Sequence, residues 1–350
     1  MKKDILKVKS KGKTVIKIVF LIFTVVFIVT VIAFNVSPVP GSLLVRLAFD
    51  RPPQKPPEEL NYSAYVQVSK NISYGDSKDE IYDLYIPKGK NNLCPLIIWI
   101  HGGAFVGGDK KDVAFLAEAL AFNGYAVAAI NYSRAPEAVY PEPVLQTGKA
   151  YSYLTEKYSE GNDAVDTNQI FIAGDSAGAH IAAQFAILQT NITYREKFLA
   201  ANNPTIFPEP ISKEVLKGTL LYCGPYDVEK LNNVSNPLMK FLLGQTSWAY
   251  FGHKNLANSV IAEEADIIKS VTKDFPPSFI SDGNTASFYD HARDLTARLS
   301  TLGVPVSELF FDDSSEKVPH EFQFELQSNV GKKSLEYTLR FLEENINGLR

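Results

Sequence analysis

Ser176 stands in the run Gly174-Asp175-Ser176-Ala177-Gly178, after the short apolar stretch QIFIA and before the helical pattern AGAHIAAQFAILQ. A serine hydroxyl attacks carbonyls poorly unless a base takes its proton and fixed donors meet the oxyanion that forms. A sharp turn from strand to helix exposes the side chain. Glycines two residues either side let neighbouring backbone approach without a Cβ in the way. This spacing points to acyl transfer, with Ser176 as the nucleophile. A second segment, HGGAF at 101–105, follows the apolar run LIIWI. Its glycines, Gly102 and Gly103, can turn their amides toward a developing oxyanion, and the Ala177 amide at the helix start can add a third.

Such groups need a scaffold that brings distant segments to one edge. Two period-two stretches, AYVQV and DEIYDLYIP, predict antiparallel edge strands. Continuous apolar runs follow in PLIIWI, YAVAAINY, QIFIAG, KGTLLYCG and PPSFISDG, with VSELFFD last. Runs of this kind suit strands buried on both faces. Helical patterns lie between them: DVAFLAEALAFNG, VLQTGKAYSYLTEKY, AGAHIAAQFAILQ and YDHARDLTARLSTLG, with KSLEYTLRFLEEN closing the chain. The alternation predicts an α/β fold, a mostly parallel eight-stranded sheet with helices on both faces. In such sheets ligands bind beyond the carboxyl ends of the strands, where both Ser176 and HGG fall.

HGGAFVGGDK, NYSRAPEAVYP and GDSAGAH, in this order, resemble the hormone-sensitive-lipase-like esterases of the α/β-hydrolase superfamily, and the likeness runs from about residue 80 to 325. The resemblance implies Ser176 as nucleophile, with Gly102, Gly103 and Ala177 as oxyanion donors. It also places the base after the final strand, at His320 in VPHEFQF. Of the other histidines, His101 belongs to the oxyanion turn, His180 is read as packing, His253 lies in an irregular section and His291 in a helical pattern. The acid departs from the family pattern. The usual order is strand, Gly, two residues, Asp, whereas FISDGNTASF carries Ala286 at that position. Asp282, at the end of the strand, is the expected substitute, ahead of Asp227 in CGPYD and Asp290 in the next helix. Arg134 and Pro136 of NYSRAP are read as structural.

Charge is unevenly placed. Residues 1–34 hold seven lysines and one aspartate, net +6, so the overall −4 leaves −10 for the rest. An acidic body argues against nucleic acid as the main partner. Behind the lysines, residues 15–34 form an apolar run, and as a helix twenty residues span about 30 Å, a bilayer core. The exit, IAFNVSPVPG, offers no small-residue cleavage site. The run therefore reads as an uncleaved anchor with 1–14 as a cytoplasmic basic tail and the body outside. Residues 35–60 read as a Pro-rich stalk, 61–350 as the hydrolase domain, and 228–275 as a possible cap over an acyl pocket. The aromatic residues of FLLGQTSWAYFG serve a cap or a core equally well. Cys94 and Cys223 fall at opposite edges of the sheet and are not expected to pair. No metal-binding or nucleotide-binding motif is present, and no cofactor is expected. The reading is an anchored serine carboxylesterase acting on small or short-acyl esters. A lipase or peptidase with the same triad, or a non-catalytic hydrolase-fold binding protein, are the alternatives.

Overall fold

The apolar runs become eight strands: β1 (Val66–Ser73), β2 (Ile81–Pro87), β3 (Cys94–Ile100), β4 (Ala126–Ile130), β5 (Val165–Asp175), β6 (Leu216–Tyr222), β7 (Ser278–Ser281) and β8 (Val306–Leu309). The computed structural model describes residues 2–49, 61–89, 92–160, 164–231, 234, 236–311 and 316–346, with side chains from residue 16 onward. One sheet holds all eight strands in the order β1-β2-β4-β3-β5-β6-β7-β8. β2 runs antiparallel to both β1 and β4, and the other pairings are parallel. The expected mostly parallel sheet is the observed one.

Register explains why separate motifs meet. Ile100 lies opposite Gly174, Asp175 opposite Tyr222, and Tyr222 opposite Ser281. The chain therefore leaves β3, β5, β6 and β7 at the same level. HGG, the Ser176 turn, Cys223 and Asp282 all emerge along one edge.

Alternate residues of the strands face two separate cores. Leu96, Ile98 and Ile100 pack into one, Ile97 and Trp99 into the other. The first core is covered by α4 (Glu142–Lys157), α5 (Ala177–Thr190) and α10 (Tyr289–Thr301), the second by α3 (Ala114–Phe122) and α11 (Asn329–Ile346). Residues 177–189 of α5 are buried on every side, which is why that helix reads as apolar all round. α6 (Ile192–Asn202), α8 (Val260–Ala265) and α9 (Ile267–Ser270) also add side chains to the first core.

The N-terminus differs from the expectation. α1 (Lys2–Val36) is one helix through both the basic tail and the apolar run. Ile16–Val36 has a mean hydropathy of 2.9 and is nowhere buried in the protein. The stalk expected over 35–60 gives way to α2 (Val39–Phe49), which buries Gly41, Ser42 and Val45. The prolines mislead here: Pro40 sits in the first turn of α2, where its missing N–H costs nothing, and SLLVRLAF behind it is apolar enough to dock. Residues 50–60 of the expected stalk lie outside the described residues.

Within 228–275, α7 (Pro237–Phe251) is the main element. Asn236 caps it by accepting from the Leu238 and Met239 amides at 3.0 and 3.1 Å, with Pro237 in the first turn. Its far end is core: Tyr250 stacks on Phe105 with centroids 4.0 Å apart. Its near end is not, since Leu238 and Met239 are exposed. Of the run FLLGQTSWAYFG, Ala249, Tyr250 and Phe251 belong to the core, whereas Phe241 is exposed.

Candidate active site

Ser176 turns at φ 50°, ψ −121° between β5 and α5. A positive φ strains any residue with a Cβ, and the flanking glycines make it possible. A Cβ on Gly174 would lie 2.4 Å from the Gly178 carbonyl oxygen, and one on Gly178 would lie 2.1 Å from that of Ile100. The Ser176 amide donates to the Tyr222 carbonyl at 2.8 Å, tying the turn to the neighbouring strand.

His320 Nε2 lies 3.0 Å from Ser176 Oγ. Its other nitrogen does not meet a carboxylate. Nδ1 lies 2.7 Å from Ser287 Oγ, and the Ser287 hydroxyl donates in turn to Asp282 Oδ1. Proton counting sets the polarity of this row. A serine has one hydroxyl proton, and Ser287 gives it to Asp282. Its Oγ must therefore accept from His320, which places the imidazole proton on Nδ1 and leaves Nε2 free to accept from Ser176.

Asp282 is fully buried. Burial pushes its carboxyl up to about 7, against the opposing pull of donors from Ser287, Cys223 and the Gly283 amide. Burial also lowers His320 to about 4, which keeps the imidazole neutral. Asp227, the second candidate acid, is engaged elsewhere: it accepts from the Glu229 and Lys230 amides and pairs with the Lys230 ammonium at 3.1 Å. Asp290 is exposed in the first turn of α10. Ser287 is the residue that sequence reasoning missed. The signal was the departure at Ala286, next to a serine of unremarkable type.

The oxyanion loop needs one correction. The Gly102 amide, expected to face the oxyanion, donates to Asp175 Oδ2 at 2.8 Å. A committed amide cannot also serve a substrate. Asp175 Oδ1 accepts the Trp99 indole N–H at 2.7 Å, and the Glu321 carboxyl hydrogen-bonds to Asp175 as well. Burial, then the adjacent Asp175 charge, hold Glu321 well above the usual carboxylate range. The neighbouring Gly103, Ala104 and Phe105 all have positive φ, at 110°, 52° and 64°. Ala104 and Ala177 line the cavity beside Ser176 and His320. The Ala177 amide belongs to the first turn of α5, where an α-helix supplies no acceptor. His101 Nδ1 contacts the Gly102 carbonyl at 2.7 Å and its ring stacks on Tyr132. His180 is buried against the Pro225 carbonyl at 2.8 Å, and Arg134 holds the Gly108 carbonyl at 2.9 Å.

A cavity of about 800 Å³ opens from Ser176 and His320, within the size range of small-molecule sites. Phe105, Leu231, Leu242 and Phe288 form apolar walls, and Val45 and Phe49 of α2 close one side. α2 is held there by Arg46, which donates to the Ala135 carbonyl at 2.6 Å and to both Glu137 oxygens. Cys223, Asp282 and His320 place ligand atoms within 4.8 Å of one another, a spacing that a divalent ion could use. Here Ser287 occupies the space between Asp282 and His320. Cys94 and Cys223 are both buried and are not joined in a disulfide.

A strained serine turn, a histidine on its hydroxyl and the β3 loop beside it, on a mostly parallel eight-stranded sheet, define the α/β-hydrolase fold. The BD-FAE family model matches residues 82–298, and the chain belongs to that family. It is similar to the probable isoprenylcysteine alpha-carbonyl methylesterase ICME of Oryza sativa subsp. japonica, with 37% identity over 117 residues, 33% of this chain and 28% of that protein. Esterase LipQ of Mycobacterium tuberculosis matches at 25% identity over 226 residues, 63% of this chain and 49% of the relative. The chain thus spans half or less of the length of these two relatives. Among solved structures, inhibited esterase B from Lactobacillus rhamnosis superposes with a TM-score of 0.69 at 20% identity, covering 85% of this chain and 90% of that one. That last likeness is one of fold.

Proposed function

We propose that the protein is a serine carboxylesterase anchored by α1, with Ser176, His320, Ser287 and Asp282 as its catalytic row. The observation that carries this reading is the unbroken run of contacts from Ser176 Oγ through both nitrogens of His320 to Asp282. Ser176 Oγ attacks the ester carbonyl while His320 Nε2 takes its proton. The imidazolium is stabilised through Ser287, which passes the influence of the Asp282 charge without releasing its own proton. Amides of Gly103, Ala104 and Ala177 meet the oxyanion. When the tetrahedral intermediate collapses, the bond to the leaving oxygen breaks and Nε2–H protonates that alcohol. Water then attacks the acyl-enzyme, again giving a proton to Nε2, and Ser176 leaves with it as the acid is released.

The names of relatives and fold neighbours support ester chemistry, methylesterase and esterase among them. The lysine-rich tail ahead of the apolar span supports a cytoplasmic N-terminus and an outward-facing hydrolase domain, 61–350. Turnover of p-nitrophenyl butyrate by the detergent-solubilised full chain tests the activity. Ser176→Ala should reduce it to background, and equal rates for the two proteins would rule out this serine.

A further inference from the structure

We propose that the cavity of this esterase takes its substrate from the bilayer: an ester of a membrane-resident lipid whose long acyl chain enters between α2 and α7. The proposal rests on the esterase reading and adds the substrate class and its route.

The first observation is position. Only Ser37 and Pro38 separate the apolar span of α1 from α2, so α2 starts where the chain leaves the membrane. α7 is attached to the same point. Phe241 packs on Phe34 with ring centroids 5.6 Å apart, Gln245 Nε2 donates to the Phe34 carbonyl at 3.3 Å, and Lys254 donates to the Asn35 carbonyl at 3.2 Å. Lys254 also lies over the Trp248 ring, 5.3 Å from its centroid. A tryptophan and a lysine at the end of a span are the usual residues of the membrane–water boundary.

The second observation is surface chemistry. Val39, Leu43 and Leu47 of α2 recur every four residues, one face of a helix, and are 42, 50 and 71% exposed. The opposite side of α2 buries Gly41, Ser42 and Val45. On α7, Leu238, Met239 and Phe241 are exposed as well. An apolar surface contiguous with a membrane span is matched by the acyl boundary of the bilayer, where a surface helix sinks its apolar face.

The third observation is connection. Leu44 and Ala48 of α2 and Leu238 and Met239 of α7 line the cavity that reaches Ser176 and His320. The same two helices therefore carry the exposed apolar surface outside and the cavity wall inside. A long acyl chain can pass from one to the other without crossing water. A short, soluble ester would gain nothing from such a mouth.

The test compares two esters with one leaving group, using the full chain reconstituted in phosphatidylcholine vesicles. The probes are 4-methylumbelliferyl oleate dissolved in the vesicle membrane and 4-methylumbelliferyl butyrate in solution. The wild type should cleave both. Leu43→Glu/Leu47→Glu, at two exposed positions outside the cavity, should lower the oleate-to-butyrate rate ratio by about tenfold or more, because charges there lift the mouth off the acyl region. Met239→Trp, which narrows the mouth without touching Ser176, should lower the same ratio. Turnover of butyrate without turnover of vesicle-borne oleate overturns the route and leaves the esterase reading standing. An unchanged ratio in both variants also overturns it. A protein that cleaves neither ester removes the esterase reading, and this inference with it.

Discussion

Replacing Ser287 by alanine removes one oxygen atom and interrupts the row between His320 and Asp282. In the structure that oxygen is 2.7 Å from Nδ1 and donates to Asp282 Oδ1, so His320 loses its acceptor and Asp282 one of its donors together. The cost falls on the tetrahedral intermediate and the transition states around it, because only there does His320 carry a positive charge. A hydrogen bond to a charged group contributes about 1.5–3 kcal/mol, which converts to a kcat loss of about 10- to 150-fold. KM should change little, since the hydroxyl lies behind the imidazole. The pH profile separates this role from a packing role. Wild-type kcat/KM should rise with pH through about 7, the value to which burial pushes Asp282. Below it a protonated Asp282 donates to Ser287, Ser287 donates to Nδ1, and the imidazole proton is driven onto Nε2, where it blocks the base. In Ser287→Ala that link is cut and the limb near 7 should disappear, while Ser287→Thr, which keeps the hydroxyl, should restore both rate and limb. Stopped-flow or plate assays with p-nitrophenyl butyrate from pH 5 to 9 read all three proteins. Wild-type kcat and an unaltered pH profile in Ser287→Ala would refute the reasoning.

Asp282→Asn keeps the shape and an acceptor for Ser287 but loses the charge, so kcat should fall by about 100-fold or more, while Asp227→Asn and Asp290→Asn should change it little. Stability should move oppositely: a carboxyl whose folded pKa is raised stabilises the fold fully at low pH and loses that contribution as pH rises through about 7. The melting temperature of Asp282→Asn should therefore gain on the wild type between pH 4 and 8, and a constant difference would reject the burial argument. Protease added to sealed right-side-out vesicles should remove the body, whereas its protection until the membrane is permeabilised would reverse the proposed orientation.

How much of this could be read from the chain follows from range. The inner parallel strands are legible because burial on both faces leaves continuous runs such as LIIWI and IFIAG, and β1 and β2 because of their period-two alternation. Ser176 is legible because a strained turn needs Gly174 and Gly178 at fixed local spacing. The link from Asp282 to His320 is not, because a single serine hydroxyl, five residues past Asp282 and thirty-three before His320, looks like any other. The use of the Gly102 amide was hidden for a similar reason: its acceptor is the Asp175 side chain on another strand. α2 was hidden by composition. Prolines around it suggest an extended linker, yet its placement depends on Arg46 reaching Glu137, ninety-one residues away.

The central claim is that Ser176 is the nucleophile, and covalent capture tests it most directly. The detergent-solubilised full chain is treated with a fluorophosphonate and its peptides are mapped by mass. One adduct on the peptide containing Ser176 is expected, absent from Ser176→Ala and formed far more slowly in His320→Ala. An adduct on another serine, or full labelling of Ser176→Ala, would contradict the account.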